Sequence, residues 1–191
     1  MTLLAGFTHP FGDAQYAFRR ILKAMSEPGV IVSLLHSPRW GALSPAATAV
    51  LLTLVDRETP LWLDPALQDE TLLTNLRFHT GALVTERAQA DFALLLSVPQ
   101  VSLAGFSAGD ALAPEKSTSI IVEVPSLGGG LPLELSGPGM AEPRGVAPQL
   151  PESVLHYLRE RPHPFPLGFD FIFTSGESLM ALPRTTHVEV S

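Results

Sequence analysis

Three short strings gather the side chains best suited to chemistry. "LRFHT" supplies Arg77, His79 and Thr80; "ERPHPFPLGFD" supplies Arg161, His163 and Asp170; "PRTTHVEV" supplies Arg184, Thr185, Thr186 and His187. A guanidinium fork beside hydroxyl and imidazole groups suits phosphate or phosphonate oxygens, which it binds through paired, charge-assisted hydrogen bonds. Each string also has a purely structural reading. Arg77 and His79 favour the negative end of a preceding helix whatever the function. The prolines at 162, 164 and 166 stiffen any sharp bend, and Arg184 after Pro183 reads equally well as a solvated strand end.

Other chemistries find little support. "SLGGGLPLELSGPG" is rich in glycine, but it lacks the G-x-x-x-x-G-K-[ST] loop, and no G-x-G-x-x-G stands between a strand and a helix. There is no G-x-S-x-G elbow for a nucleophilic serine. A pyridoxal enzyme needs a Schiff-base lysine; Lys23 falls on the outward part of a helix and Lys116 in a loop. The histidines at 9, 36, 79, 156, 163 and 187 include no i,i+4 pair with an intervening glutamate. With no cysteine, the chain has no disulfide, thiolate nucleophile or cysteine-held cluster or zinc. Neither a metal nor a cofactor is expected.

Composition narrows the partners. A net charge of −7 disfavours nucleic acid and anionic membranes. Hydrophobic residues make up 46% and charged residues 16%, against roughly 25% charged in typical soluble domains. So little charge leaves surface for a partner subunit to cover, although an apolar monomer has the same composition. The beginning of the chain has no basic leader, and no stretch approaches about 18 uninterrupted apolar residues. A soluble, cytoplasmic protein is expected.

The elements that must position these groups follow from periodicity. A 191-residue chain without a long linker predicts one domain, residues 1–191. Ala14, Ala17, Phe18, Ile21, Leu22 and Met25 predict an amphipathic helix with Asp13 as N-cap and Pro28-Gly29 as its stop. "GVIVSLL" predicts a strand, and Ser44-Pro45 opens "PAATAVLLTLVD", apolar around nearly its whole circumference and therefore buried on several sides. "TPLWLD" predicts a strand and "DETLLTNLRFHT" a helix fraying near Phe78 or His79. "GALV" and "DFALLL" read as short strands, and "PQVSLAGF" as a helical turn or short helix. "TSIIVEVPSLGGGLPLELSG" suggests a hairpin with a mobile tip, and "PGMAEPRGVAPQ" a loop. "PESVLHYLRERP" is a helix, "GFDFIFTSGESLMALP" a strand pair, and "THVEV" extended chain. The sum is an α/β fold with a mixed β-sheet and flanking helices, alternating units first and antiparallel pairs later.

Taken together, "FRRILKAMSEPGVIV", "LRFHT", "APQLPESVLHYLRERPHPFPLGFD" and "ALPRTTHVEV" resemble the PhnH family, the H subunit of the bacterial carbon-phosphorus lyase system, from about residue 11 to 190. The resemblance implies a fold similar to the large domain of PLP-dependent transferases but without PLP. It also implies a homodimer in isolation, and a place in a core complex with subunits G, I and J that transfers a phosphonate onto the ribose of ATP and releases adenine. In that family a different subunit cleaves the carbon-phosphorus bond, and no catalytic residue carries over to this chain. Arg77, His79, Thr80, Arg161, His163, Arg184, Thr185 and Thr186 remain candidate contacts to phosphate, phosphonate or a partner. Two other readings stay open: a stand-alone phosphate- or phosphonate-binding domain or small-molecule enzyme, and a relic that still binds PLP.

Overall fold

The computed structural model describes residues 2–191. Helix α1 (Pro10–Ser26) starts three residues before the expected cap. Pro10 takes the first helical position, where its missing N–H costs nothing, and the Asp13 carboxylate reaches back to accept from the His9 N–H at 2.8 Å. Ala17, Ile21 and Ala24 form its buried stripe. Strand β1 is only Val32–Ser33. Ser44 caps α2 (Pro45–Leu54) by accepting from the Ala47 N–H at 3.1 Å, and residues 46 to 51 of that helix are all buried, as its apolar circumference predicts. β2 is Leu61–Leu63. α3 (Glu70–Thr80) runs past the expected fraying point because Gly81, in the left-handed conformation at φ 73°, caps it onto the Arg77 carbonyl.

The remaining strands are β3 (Phe92–Leu96), β4 (Ser119–Glu123), β5 (Leu133–Ser136), β6 (Arg144–Val146), β7 (Asp170–Ser175), β8 (Ser178–Leu182) and β9 (His187–Val190), with α4 (Glu152–Glu160) between β6 and β7. The main sheet has the order β1-β8-β7-β4-β3-β2. β2, β3, β4 and β7 are parallel, while β8 pairs antiparallel with β7 and the edge strand β1 antiparallel with β8. Alternation along these strands divides the core. Leu94, Ile121, Ile172 and Ala181 meet α1, α2 and α3 on one face. Leu95, Val122, Phe173 and Leu182 meet α4 and a second, antiparallel sheet of order β6-β5-β9 on the other. The expected mixed α/β architecture is therefore present, as three layers.

Four local expectations fail, each for a traceable reason. β4 and β5 do not form a hairpin: β4 already has β3 and β7 on its two sides, so β5 has no free edge there and founds the second sheet, pairing with β6 and β9. β6 accordingly lies in the segment expected to be a loop. "GALV" gives a single bridge, Leu61 to Val84, because it lies outside the edge strand β2, where Leu83 and Val84 have no layer to pack under and stay exposed. "PQVSLAGF" is not helical. Val101 and Phe106 are held in the core, and the Arg87 guanidinium lies 4.4 Å from the Trp62 ring centroid and 4.6 Å from that of Phe106 while donating to the Ser102 and Ala104 carbonyls. A side chain here serves carbonyls that a helix would have satisfied internally.

Candidate functional site

Arg184 follows β8 and reaches across the N-terminal ends of the parallel strands β4 and β7. Its Nε donates to both Asp170 carboxylate oxygens at 3.2 and 3.3 Å, and its Nη2 to Asp170 Oδ2 at 2.7 Å and to Ser117 Oγ at 2.5 Å. Its Nη1 donates to the Pro114 and Pro166 carbonyls at 3.0 and 3.1 Å. Those bonds use all five guanidinium N–H groups, and Asp170 Oδ1 also accepts from the Arg184 backbone N–H at 2.7 Å. Arg184 thus ties three chain segments together and has no donor left for a ligand.

Arg161 stands at the end of α4 in a different condition. As the C-cap it adopts the left-handed conformation, φ 46° and ψ 66°, which is uncommon for a residue with a Cβ. Its backbone N–H donates to the Tyr157 carbonyl and its Nη1 to the Arg184 carbonyl at 2.6 Å, while Nε and Nη2 carry no hydrogen bond within the described chain. Burial pulls the guanidinium below its usual pKa, with Tyr157 acting weakly in the opposite direction. Beside it, the Tyr157 hydroxyl accepts from the Phe169 N–H at 3.1 Å and lies 3.0 Å from His163 Nδ1. When that hydroxyl donates to Nδ1, the imidazole proton sits on Nε2. Burial is the main cause that raises the Tyr157 pKa, so the phenol is neutral near pH 7. Gly168, at φ 120°, completes the wall: a Cβ there would come within 3.2 Å of the Tyr157 hydroxyl. Together with Leu158, Leu167, Phe169 and Pro183 these groups line a small pocket.

The other sequence candidates lie elsewhere. Arg77, His79 and Thr80 end α3, on the opposite face of the main sheet from α4. His79 Nε2 is 2.9 Å from the Leu4 carbonyl and its ring is 5.2 Å from that of Trp40, so it pins the N-terminal segment to the core. Thr80 Oγ1 donates to the Leu76 carbonyl at 2.6 Å, and Arg77 is exposed beside a surface groove with Glu70 and Thr74. Thr186 is fully buried with its hydroxyl unpartnered, between the partly exposed Thr185 and the exposed His187. The three strings therefore do not converge; Arg161, His163, Asp170 and Arg184 do.

Sequence reading passed over two residues. Tyr157 lies within the helix string "PESVLHYLRERP" with no local signal of its own, and only its contacts with His163 and Phe169 give it a place in the pocket. Glu123 ends β4 inside the layer between sheet and helix; its Oε1 accepts from the Ser44 N–H at 3.2 Å, and its Oε2 from Ser44 Oγ at 3.0 Å and Thr174 Oγ1 at 2.6 Å. Burial outweighs these bonds and raises its pKa. One acidic residue in the apolar run "SIIVEV" was the available signal.

The fold and this site define a class: a three-layer α/β protein in which most of the chemically capable side chains are committed to holding its own backbone. Within that class, the chain belongs to the PhnH family. The family model described as "Bacterial phosphonate metabolism protein (PhnH)" matches residues 5–189. The chain is 37% identical over 189 residues to a Rhizobium meliloti (strain 1021) protein named alpha-D-ribose 1-methylphosphonate 5-triphosphate synthase subunit PhnH, covering 96% of this chain and 94% of that one. It is 33% identical over 191 residues to a Stutzerimonas stutzeri protein named putative C-P lyase subunit protein HtxG, covering 92% of this chain and 86% of that one.

Proposed function

We propose that this chain is a subunit of a carbon-phosphorus lyase assembly in phosphonate catabolism, contributing to the transfer of a phosphonate onto the ribose of ATP with release of adenine. The observation that carries this reading is the 37% identity, over nearly the whole of both chains, with a protein named as a subunit of the alpha-D-ribose 1-methylphosphonate 5-triphosphate synthase. The commitment of Arg184 to Asp170 and backbone carbonyls supports an accessory role rather than an independent catalyst. The same reading includes finer parts: one domain over residues 1–191, a core like that of the PLP-dependent transferases without PLP, partners equivalent to subunits G, I and J, a homodimer when those are absent, and a cytoplasmic location. Among the described residues no helix is long and apolar enough to cross a membrane.

Co-expression with the other core subunits, followed by affinity purification through one of them, tests the proposal. The chain is expected to elute with the assembly. Its absence from an otherwise complete assembly, or an undiminished synthase activity without it, overturns the reading. A stand-alone binding domain is favoured by one observation, the incompletely used Arg161 beside His163, and predicts ligand binding by the isolated chain.

A further inference from the structure

From the pocket at the end of α4 we infer an oxyanion site for a compact phosphoryl headgroup, built on Arg161 and His163. Four observations carry it. Arg161 is partly buried and spends a single donor on the Arg184 carbonyl. Among the described residues the ion pairs are Lys23 with Glu27 and Arg184 with Asp170, so Arg161 has no carboxylate counter-ion. The nearby carboxylate of Asp170 is fully occupied by Arg184. His163 is oriented through Nδ1 by Tyr157, which leaves Nε2 as its remaining polar atom in the pocket lining. A guanidinium and an imidazole held in fixed positions, without an internal anion, form a receptor whose complement is an oxyanion.

Size and lining set the class of ligand. The pocket measures about 280 Å³ with its open mouth, and its enclosed part holds about one or two water molecules. The enclosed part takes one or two oxygens of a tetrahedral headgroup, with the rest of the group in the open mouth, and is too small for a nucleoside. Leu158, Leu167, Phe169 and Pro183 supply an apolar side against which a short alkyl substituent can rest. Gly168 keeps the floor open, because a Cβ there would crowd the Tyr157 hydroxyl at 3.2 Å. The headgroup chemistry is shared by inorganic phosphate and short alkylphosphonates; choosing the phosphonate as a probe rests on the proposed function, whereas the site rests on the geometry.

The test is a titration of the full chain with inorganic phosphate, methylphosphonate and acetate, followed by calorimetry and by the His163 ring resonances in NMR. Saturable binding of phosphate or methylphosphonate is expected at millimolar or lower concentration, with the His163 resonances shifting along the same curve. Arg161→Asn suits the left-handed backbone and removes the guanidinium; it is expected to weaken binding roughly tenfold or more. His163→Gln, in a chain whose Arg161 is intact, provides an independent weakening. Stronger binding of methylphosphonate than of phosphate assigns the apolar side to a substituent, and equal binding assigns the site to the headgroup alone. No saturation by 10 mM of either probe in a folded chain, equal binding of acetate, or binding unaffected by both substitutions overturns the inference. Because co-purification with other subunits is scored separately, a negative titration leaves the subunit assignment standing.

Discussion

At the scale of single residues, Arg184 and Arg161 have the same chemistry and opposite fates. Arg184 is surrounded by acceptors from before β4, from the 160s turn and from β7, so its planar fork sets the spacing of three segments. Lysine carries the charge but presents three donors from one point, and cannot reach four separate acceptor groups. Arg184→Lys is therefore expected to destabilise the chain, and Arg184→Ala more so, by about 3 kcal/mol, because Asp170 would stay largely buried without its partner. Urea denaturation measures this as a lower midpoint at unchanged slope. Equal midpoints for wild type and Arg184→Ala would show that Asp170 finds water instead.

At the scale of elements, Glu123 links the end of β4 to the start of α2 through Ser44, and to β7 through Thr174. Its carboxyl is held above the ordinary value of 4.5, chiefly by burial. Between that value and its folded pKa, the folded chain holds a proton that the unfolded chain has released. Its contribution therefore makes stability fall as pH rises through this window and level off above it. Glu123→Gln keeps a hydrogen-bonding group at the helix start and removes the titration, so its urea midpoint is expected to lose that part of the decline above the ordinary carboxyl value of 4.5. Parallel profiles for the two chains would contradict the assignment. The same elements show what local sequence conveys. Helix α1, the buried α2 opened by Ser44-Pro45 and the β7–β8 hairpin are legible because their signals lie within a few residues, although Phe18 and Leu22 of the α1 pattern stand exposed beside the buried Ala17, Ile21 and Ala24. The partner of β5 was not, since whether β4 has a free edge depends on β7, some fifty positions later. Convergence of Arg161 with Arg184 was likewise hidden: each string supplied the right residue types, but only the tertiary fold sets Arg161 against Arg184 and leaves Arg77 on the other face.

At the scale of the whole molecule, the main sheet is covered on two sides by different means, helices on one and a small sheet with α4 on the other. The small sheet depends on the last residues of the chain. β5 is its middle strand, and β9 pairs along it from Leu133 with Val190 to Ser136 with His187. Val188 is buried in the same cluster as Leu133, Leu135, Val154 and Phe171, so β9 closes the layer over the central strands as well as pairing with β5. Removing residues 187–191 takes away that ladder and uncovers Leu133 and Leu135. Burying a single valine contributes about 1.5–3 kcal/mol, so the truncated chain is expected to lose at least about 2 kcal/mol and to bind a hydrophobic dye where the full chain does not. Because the Arg161 pocket is walled by α4 and by the turn after β8, its phosphate binding should weaken with the loss of this layer. Unchanged urea midpoint and dye binding after truncation would mean that α4 and β5 alone suffice to close this side of the sheet.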